Sequence, residues 1–415
     1  MSEAPPGRLP SLDIVRGVAV MGILLLNIVS FGMPGAAYFN PRAYGGSEGA
    51  DLAAYLVNFV LFDGRMRGLF SFLFGASMLL VIERAEAKGE NPATIHYRRM
   101  IWLLGFGLVH LWLVWDGDIL AHYALVGMFA WLLRDLPVHR LVGLGVVLVL
   151  VEAVLFGGLP FGVYMMEHAP AGSAAAADAA RQLAGFNQQF GLPGPADIAR
   201  DLALHRGSYA GLVADRLNQY QLGPVRLTFV YGAETLAYML FGMAALRSGF
   251  LRGDWSRARY RKWLAVTFGI GVPAYLALAA IMLNHDFSLF SVTLAVMALA
   301  TPVRPLMIVG WACLILLLAR PGGALTTRVA AAGRMAFTNY LATSLICTTL
   351  FYGYGLGWFG HLSRAELYLV VAGVCALMLL WSRPWLARFR YGPFEWLWRS
   401  LARGRFQPMR SGAIE

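Results

Sequence analysis

Charge is what this chain has least of. Only 14% of its 415 residues are charged, against about a quarter in an ordinary soluble domain. Hydrophobic residues make up 58% and mean hydropathy is +0.59, so lipid rather than water is the expected solvent. Cysteine is scarce as well. Cys313, Cys347 and Cys375 all lie in apolar runs, which excludes a disulfide framework and a Cys-x-x-Cys metal site. Lysine is reduced to Lys88 and Lys262. The formal charge of +11 is therefore arginine charge, set in short clusters between apolar runs, a pattern that argues against nucleic acid as a partner. No His-Glu-x-x-His, Walker loop, Ser-His-Asp order or dinucleotide fingerprint occurs. His96, His139, His168, His205, His285 and His361 lack ligand spacing, so no metal is expected. There is also no internal repeat of the kind that builds many transporters.

What is present is a series of apolar runs. Roughly 20 apolar residues cross about 30 Å of hydrocarbon, and runs near 12–33, 57–82, 100–115, 119–133, 141–165, 226–246, 263–283, 306–319, 335–356 and 367–381 qualify as spans, a few of them short. The apolar stretch 287–300 is ambiguous: interfacial, re-entrant, or an extension of a neighbouring helix. The expectation is an all-α integral membrane protein of about ten transmembrane helices, within a range of nine to eleven. The first run follows Arg8 and Arg16 and reads as a retained helix rather than a cleaved signal. With the N-terminus in the cytoplasm, 23 of the 34 basic residues fall in cytoplasmic segments and 7 on the other side, as the positive-inside rule requires. Both termini are then cytoplasmic, and the expected location is a bacterial cytoplasmic (inner) membrane.

Four units follow: N-terminal helices over 1–165, an extracytoplasmic segment over 166–224, C-terminal helices over 225–383 and a basic cytoplasmic tail over 384–415. In 166–224, apolar and charged residues alternate at helical spacing around Asp197, Arg200, Asp201 and His205, which reads as interfacial helices, with disorder as the competing reading. The tail, with Trp385, Trp396 and Trp398, suits an anionic inner leaflet.

Ionisable groups inside spans are costly and invite a functional reading. Asp13 and Arg16 open the first helix, where Arg16 could meet the phosphates of a nucleotide-like cofactor or simply anchor the helix. Asn27 lies three turns on, where an amide often just joins helices. Asp63, Gly64, Arg65 and Arg67 interrupt the second run, with Asp63 and Arg67 placed to pair at i,i+4. His110 is a candidate general base, and the Asp116-Gly117-Asp118 turn is placed to return a carboxylate to it. His122 is a rival. Glu234 is a candidate partner for Arg65 or Arg67, whereas Glu152 looks isolated.

Together these residues resemble the YeiB family of bacterial membrane proteins, built around a domain of unknown function. The resemblance rests on Leu12-Asp13-Ile14-Val15-Arg16-Gly17 with Asn27, on Phe62 to Gly75, and on His110 with Gly117, Asp118 and Tyr123. Gly333 to Tyr340 and Gly392 to Arg399 complete it. The first helix is also similar to that of transmembrane acyltransferases. Sugar acyltransferases of the acyltransferase-3 type carry Asp-x-x-Arg-Gly and a catalytic His eleven residues past the Arg, where this chain has Asn27. The lysosomal heparan glucosaminide acetyltransferase resembles it there and also has Asn; its active His lies in the following loop, and residues 34–49 here hold none. The resemblance implies acyl-CoA as cosubstrate, with phosphates near Arg16 and Asp13. His110, Asp118 and Asn27 would be the catalytic groups, and Asp63, Arg65, Arg67 and Glu234 would bind a small-molecule, glycan or lipid substrate. Membrane lipids are the expected surroundings. The alternative is a transporter or lipid flippase with those charges lining its path.

Overall fold

A computed structural model describes residues 9–170 and 173–410; the remaining residues of the N-terminal, 166–224 and tail units, Arg8 among them, lie outside it. The described residues form helices and their connections, with no named strand among them. In chain order the helices are α1 (Pro10–Gly32), α2 (Gly49–Val57), α3 (Arg65–Glu86), α4 (Pro92–Val109), α5 (Leu120–Ala130), α6 (Val138–Glu167), α7 (Ala174–Phe190), α8 (Pro195–His205), α9 (Tyr209–Gln219) and α10 (Gly223–Arg247). There follow α11 (Arg257–Asn284), α12 (Leu289–Val292), α13 (Ala300–Leu318), α14 (Ala324–Arg334), α15 (Ala336–Phe351), α16 (Arg364–Arg388) and α17 (Pro393–Arg403).

Among the described residues, seven helical stretches are long and apolar enough to cross a membrane: Pro10–Gly32, Gly49–Glu86, Val138–Glu167, Gly223–Arg247, Arg257–Asn284, Leu289–Leu318 and Arg364–Arg388. Leu120–Leu133 and Ala336–Phe351 are apolar but shorter. The stretch 287–300 extends the helix after it: α12, a π-helical turn and α13 run together from Leu289 to Leu318. That continuity corrects the placing of Arg304, which charge counting assigns to a loop. It sits inside α13 and is buried. The described part of the 166–224 segment is helical in α7, α8 and α9.

Local signals explain the boundaries. Pro10, Pro92, Pro195, Pro224 and Pro393 stand in first turns, where the missing N–H costs nothing. Asn91 caps α4 by accepting from the Thr94 N–H at 3.1 Å, and Ser363 with Glu366 forms a capping box for α16. Gly64, at φ +69°, starts α3 in the left-handed region, which breaks the long stretch Gly49–Glu86 in two.

Helix α1 is the axis of the bundle, packed by α3, α13, α14, α15 and α16. It meets α14 at an unusually short approach. A methyl on Gly17 would strike the Val329 carbonyl and one on Gly333 the Asp13 carbonyl. Both glycines belong to recognisable sequence motifs, and their job is helix contact.

Candidate functional site

One buried polar pair is built by a single turn of chain. Helix α4 passes into a π-helical turn, His110–Val114, and stops. The Asp116-Gly117-Asp118 segment then folds back so that Asp118 Oδ1 lies 2.8 Å from His110 Nδ1. Asp118 Oδ2 accepts the Ala121 N–H at 2.9 Å, so the carboxylate is held at the start of α5 by its other oxygen. His110 is 2% exposed, and its Nε2 has no hydrogen-bond partner. One ring nitrogen is oriented by a carboxylate and the other is buried without a hydrogen-bond partner.

Two aromatic rings lie beside the imidazole. The Tyr340 ring lies 5.3 Å from the imidazole and the Trp115 ring 6.3 Å. Trp115 in turn stacks on Phe31 of α1 at 4.0 Å. The Tyr340 hydroxyl is buried without a well-formed hydrogen bond, with the Ile119 backbone close to it. Tyr340 and Phe31 both line a small cavity between α1 and α15, together with Asn27, Thr343 and Ser344. The structure therefore brings His110, Asp118 and Asn27 into one neighbourhood and adds Tyr340, which the sequence reading held only as part of a motif. His122, the rival, has both ring nitrogens engaged, with Thr228 at 3.0 Å and Thr235 at 2.9 Å.

Arg16 lies on the same face of α1 as Val20, Ile23, Asn27 and Phe31. It donates to Asp13 at 3.4 Å and to Ser77 at 2.6 Å. From Arg16 to Asn27, and from Arg99 to His110, the chain climbs eleven residues, about 16 Å of helix in each case. Around Arg16 the tail has folded back. Helix α17 docks on α4 and α15, with the Trp398 indole donating to the Arg99 carbonyl at 2.9 Å and the Arg99 guanidinium 4.0 Å above its ring. The Arg399 guanidinium, crowded by protein and facing the like charges of Arg84 and Arg16, is held below the usual arginine range. Glu395 of the same helix caps α15, accepting from Phe337 N at 2.8 Å, Thr338 N at 3.1 Å and Thr338 Oγ1. Burial lifts the Glu395 carboxyl above the ordinary range despite those donors. The tail is thus a structural part of the bundle, whatever lipid it also meets.

The other intramembrane charges gather elsewhere, between α3, α10 and α13. Glu234 is fully buried and accepts from Arg67 at 2.9 Å, from Tyr238 at 2.7 Å and from Arg304. Of its two expected partners only Arg67 binds it. Arg65 instead donates to the Phe59 and Asp63 carbonyls and stacks 3.4 Å above the Tyr275 ring. Asp63 does not pair with Arg67, because the helix breaks between them; its Oδ1 accepts from Tyr38 at 3.1 Å. Asp63 lines a second small cavity with Tyr38, Tyr55, Asn58 and Arg364. Arg304 was invisible to span counting, and its signal was an arginine within an apolar run flanked by Pro302 and Pro305. Among the described residues no group of three acidic, His or Cys side chains could hold a metal ion.

Comparison with known proteins gives the chain its relatives. A family model described as a protein of unknown function (DUF418) matches residues 245–405, from the end of α10 through α17. Over the full length, the chain is 35% identical across 397 residues to the Escherichia coli (strain K12) protein described as uncharacterized protein YeiB, covering 94% of this chain and 95% of that one. It is 32% identical across 422 residues to uncharacterized protein YxaH of Bacillus subtilis (strain 168), with 97% and 96% covered. A Bacillus acidopullulyticus protein, described by its 39.9 kDa mass and its place in the amylase 3' region, is 25% identical over 413 residues, with 97% and 96% covered.

Proposed function

The chain belongs to the YeiB family, and from that premise we propose that it is a transmembrane acyltransferase of the bacterial cytoplasmic membrane. It would move an acyl group from cytoplasmic acyl-CoA to an extracytoplasmic glycan or lipid acceptor. The observation that carries this reading is the His110–Asp118 pair: a buried imidazole oriented through Nδ1 and without a hydrogen-bond partner at Nε2, beside the Tyr340 ring.

The chemistry follows from that geometry. Asp118 fixes the tautomer that leaves the Nε2 lone pair free. Nε2 accepts the proton of an acceptor hydroxyl or amine as its oxygen or nitrogen attacks the thioester carbonyl. Tyr340 and Asn27 supply hydrogen-bond donors to the oxygen that gains charge, in a site from which water is largely excluded. As the C–S bond breaks, the imidazolium returns its proton to the departing thiolate and CoA leaves as the thiol. Arg16, Arg99 and Arg399 form a cationic end suited to phosphates, about 16 Å of helix from Asn27 and His110. An extended pantetheine arm is of comparable reach.

Transport is the second reading. It draws on the helix break at Asp63 and Gly64 and on the buried Arg67–Glu234–Arg304 group. The two are separated by measuring CoA release from acetyl-CoA by the purified protein in lipid nanodiscs, with cell-envelope glycan as acceptor. Release that needs the acceptor and falls about 10²–10⁴-fold in His110→Ala is the expected result. Solute flux without thioester consumption, unaffected by His110→Ala, would overturn the proposal.

A further inference from the structure

Arg216 is buried to 2% exposure in α9, outside the seven long apolar stretches, yet both of its terminal nitrogens lack a hydrogen-bond partner. A guanidinium in that state is costly, since a buried charge normally persists only when paired and hydrogen-bonded. The acids nearest in sequence and space do not relieve it. Asp215 accepts from Gln219 at 2.6 Å, and Asp116, though near enough to act on Tyr220, Tyr352 and His205, does not reach the Arg216 terminal nitrogens. Beside Arg216 lies a phenol. Tyr352 is fully buried, its ring centroid is 5.6 Å from the guanidinium carbon, and its hydroxyl lies close to the guanidinium without a well-formed hydrogen bond. Two forked N–H groups, with a phenol beside them that can donate as well as accept, suit an oxyanion.

The position of this receptor is set by the candidate site beneath it. Helix α9 is fastened to the π-helical turn that carries His110: Tyr209 donates to the Leu113 carbonyl at 2.8 Å, and Trp112 donates to the Tyr220 carbonyl at 3.4 Å. Tyr352 follows directly on α15, eight residues after Ser344 of the small cavity, or about 12 Å of helix. His205 completes the wall, stacked on Phe359 at 4.2 Å with its ring 5.1 Å from Tyr352.

We propose that Arg216 and Tyr352 bind a carboxylate or phosphate group of the substrate that enters from the α9 side. Its role as the anchor of an acyl acceptor rests on the acyltransferase reading; the binding itself does not. The same oxyanion chemistry could be supplied by a phospholipid headgroup or by a soluble sugar acid or phosphate, and the two sources are separable by experiment.

The test uses the full-length protein in a maltoside micelle, without CoA. Thermal unfolding is followed during titration with inorganic phosphate, glucuronate or phosphatidylglycerol, with chloride at matched ionic strength. The oxyanions are expected to raise the unfolding temperature where chloride does not. Stabilisation by phosphatidylglycerol but not by the soluble anions identifies a lipid source; the reverse identifies a soluble one. Arg216→Gln should abolish the shift while leaving the anion-free protein at least as stable as before, because it removes an unpaired buried charge. Arg216→Lys keeps the charge without the fork and should weaken binding about tenfold. It also serves if the Gln variant does not fold. His110→Ala should leave the shift intact even though acyl transfer is lost, so the two proposals fail separately. No oxyanion-specific shift, or one undiminished in both Arg216 variants, would mean that water alone satisfies these donors and would overturn the site.

Discussion

Two buried polar centres use a carboxylate in opposite ways. At His110 the acid is an accessory: Asp118 spends one oxygen on the imidazole and the other on a helix N–H, and what remains free is a nitrogen that can take a proton. At Glu234 the acid is the hub, both oxygens consumed by Arg67, Arg304 and Tyr238. What remains free around it is N–H, at Arg65 Nε and Nη2 and Arg304 Nε, together with one carboxylate oxygen, Glu152 Oε1. The first centre has the parts for proton transfer. The second can hold a helix junction or an anion, but its arginines cannot act as bases near neutral pH. Buried charge alone therefore does not mark chemistry in a membrane; the identity of the unpartnered atom does.

The comparison can be broken by mutation. The largest expected effect is on folding at the second centre. Glu234→Ala leaves Arg67 and Arg304 uncompensated and should cost about 3–5 kcal/mol, read as loss of folded protein in detergent-resistance or thermal-unfolding assays. His110→Ala should leave the unfolding temperature nearly unchanged. Equal destabilisation by the two would erase the distinction. Asp118→Asn comes next. It keeps the cap on α5 but supplies a weaker, differently protonated partner for Nδ1, and CoA release should fall on the order of 100-fold or more with little change in stability. Unchanged turnover would show that the pair is structural.

The smallest effect tests the tail. Glu395 has its folded-state pKa raised by burial. Between the ordinary glutamate pKa and that raised value the folded chain binds more protons than the unfolded one, so this group lowers stability as pH rises through the window. Glu395→Gln should remove that part of the pH slope in thermal unfolding. A slope identical to wild type would mean that Glu395 is no more buried in solution than an ordinary surface carboxyl. Because Glu395 caps the helix that carries Tyr340, the same variant should also lower CoA release modestly.

Much of this was legible in the chain itself. Low charge, long apolar runs and the caps at Asn91 and Ser363 dictate helices suited to lipid, since a backbone in hydrocarbon must satisfy its own hydrogen bonds. The eight-residue spacing of His110 and Asp118 across an Asp-Gly-Asp turn is a local signal, and the local pair it implied is the one that formed. Arg304, Arg216 and Tyr340 were hidden for the opposite reason. An arginine between two prolines reads as a loop when runs are scored one at a time, and only the continuous Leu289–Leu318 helix places it opposite Glu234. Arg216 looks like an ordinary charge on an amphipathic helix until α9 is laid over the His110 turn.

Residue order thus determined which segments are helical, where they stop and which chemical groups the membrane region must accommodate. Those outcomes depend on interactions within a few residues. Which arginines meet Glu234, and which donor is left without a partner, was decided only by tertiary packing. Each depends on faces of helices distant in sequence, brought together where α3, α10 and α13 meet and where α9 is laid over the His110 turn, and no local rule records those approaches.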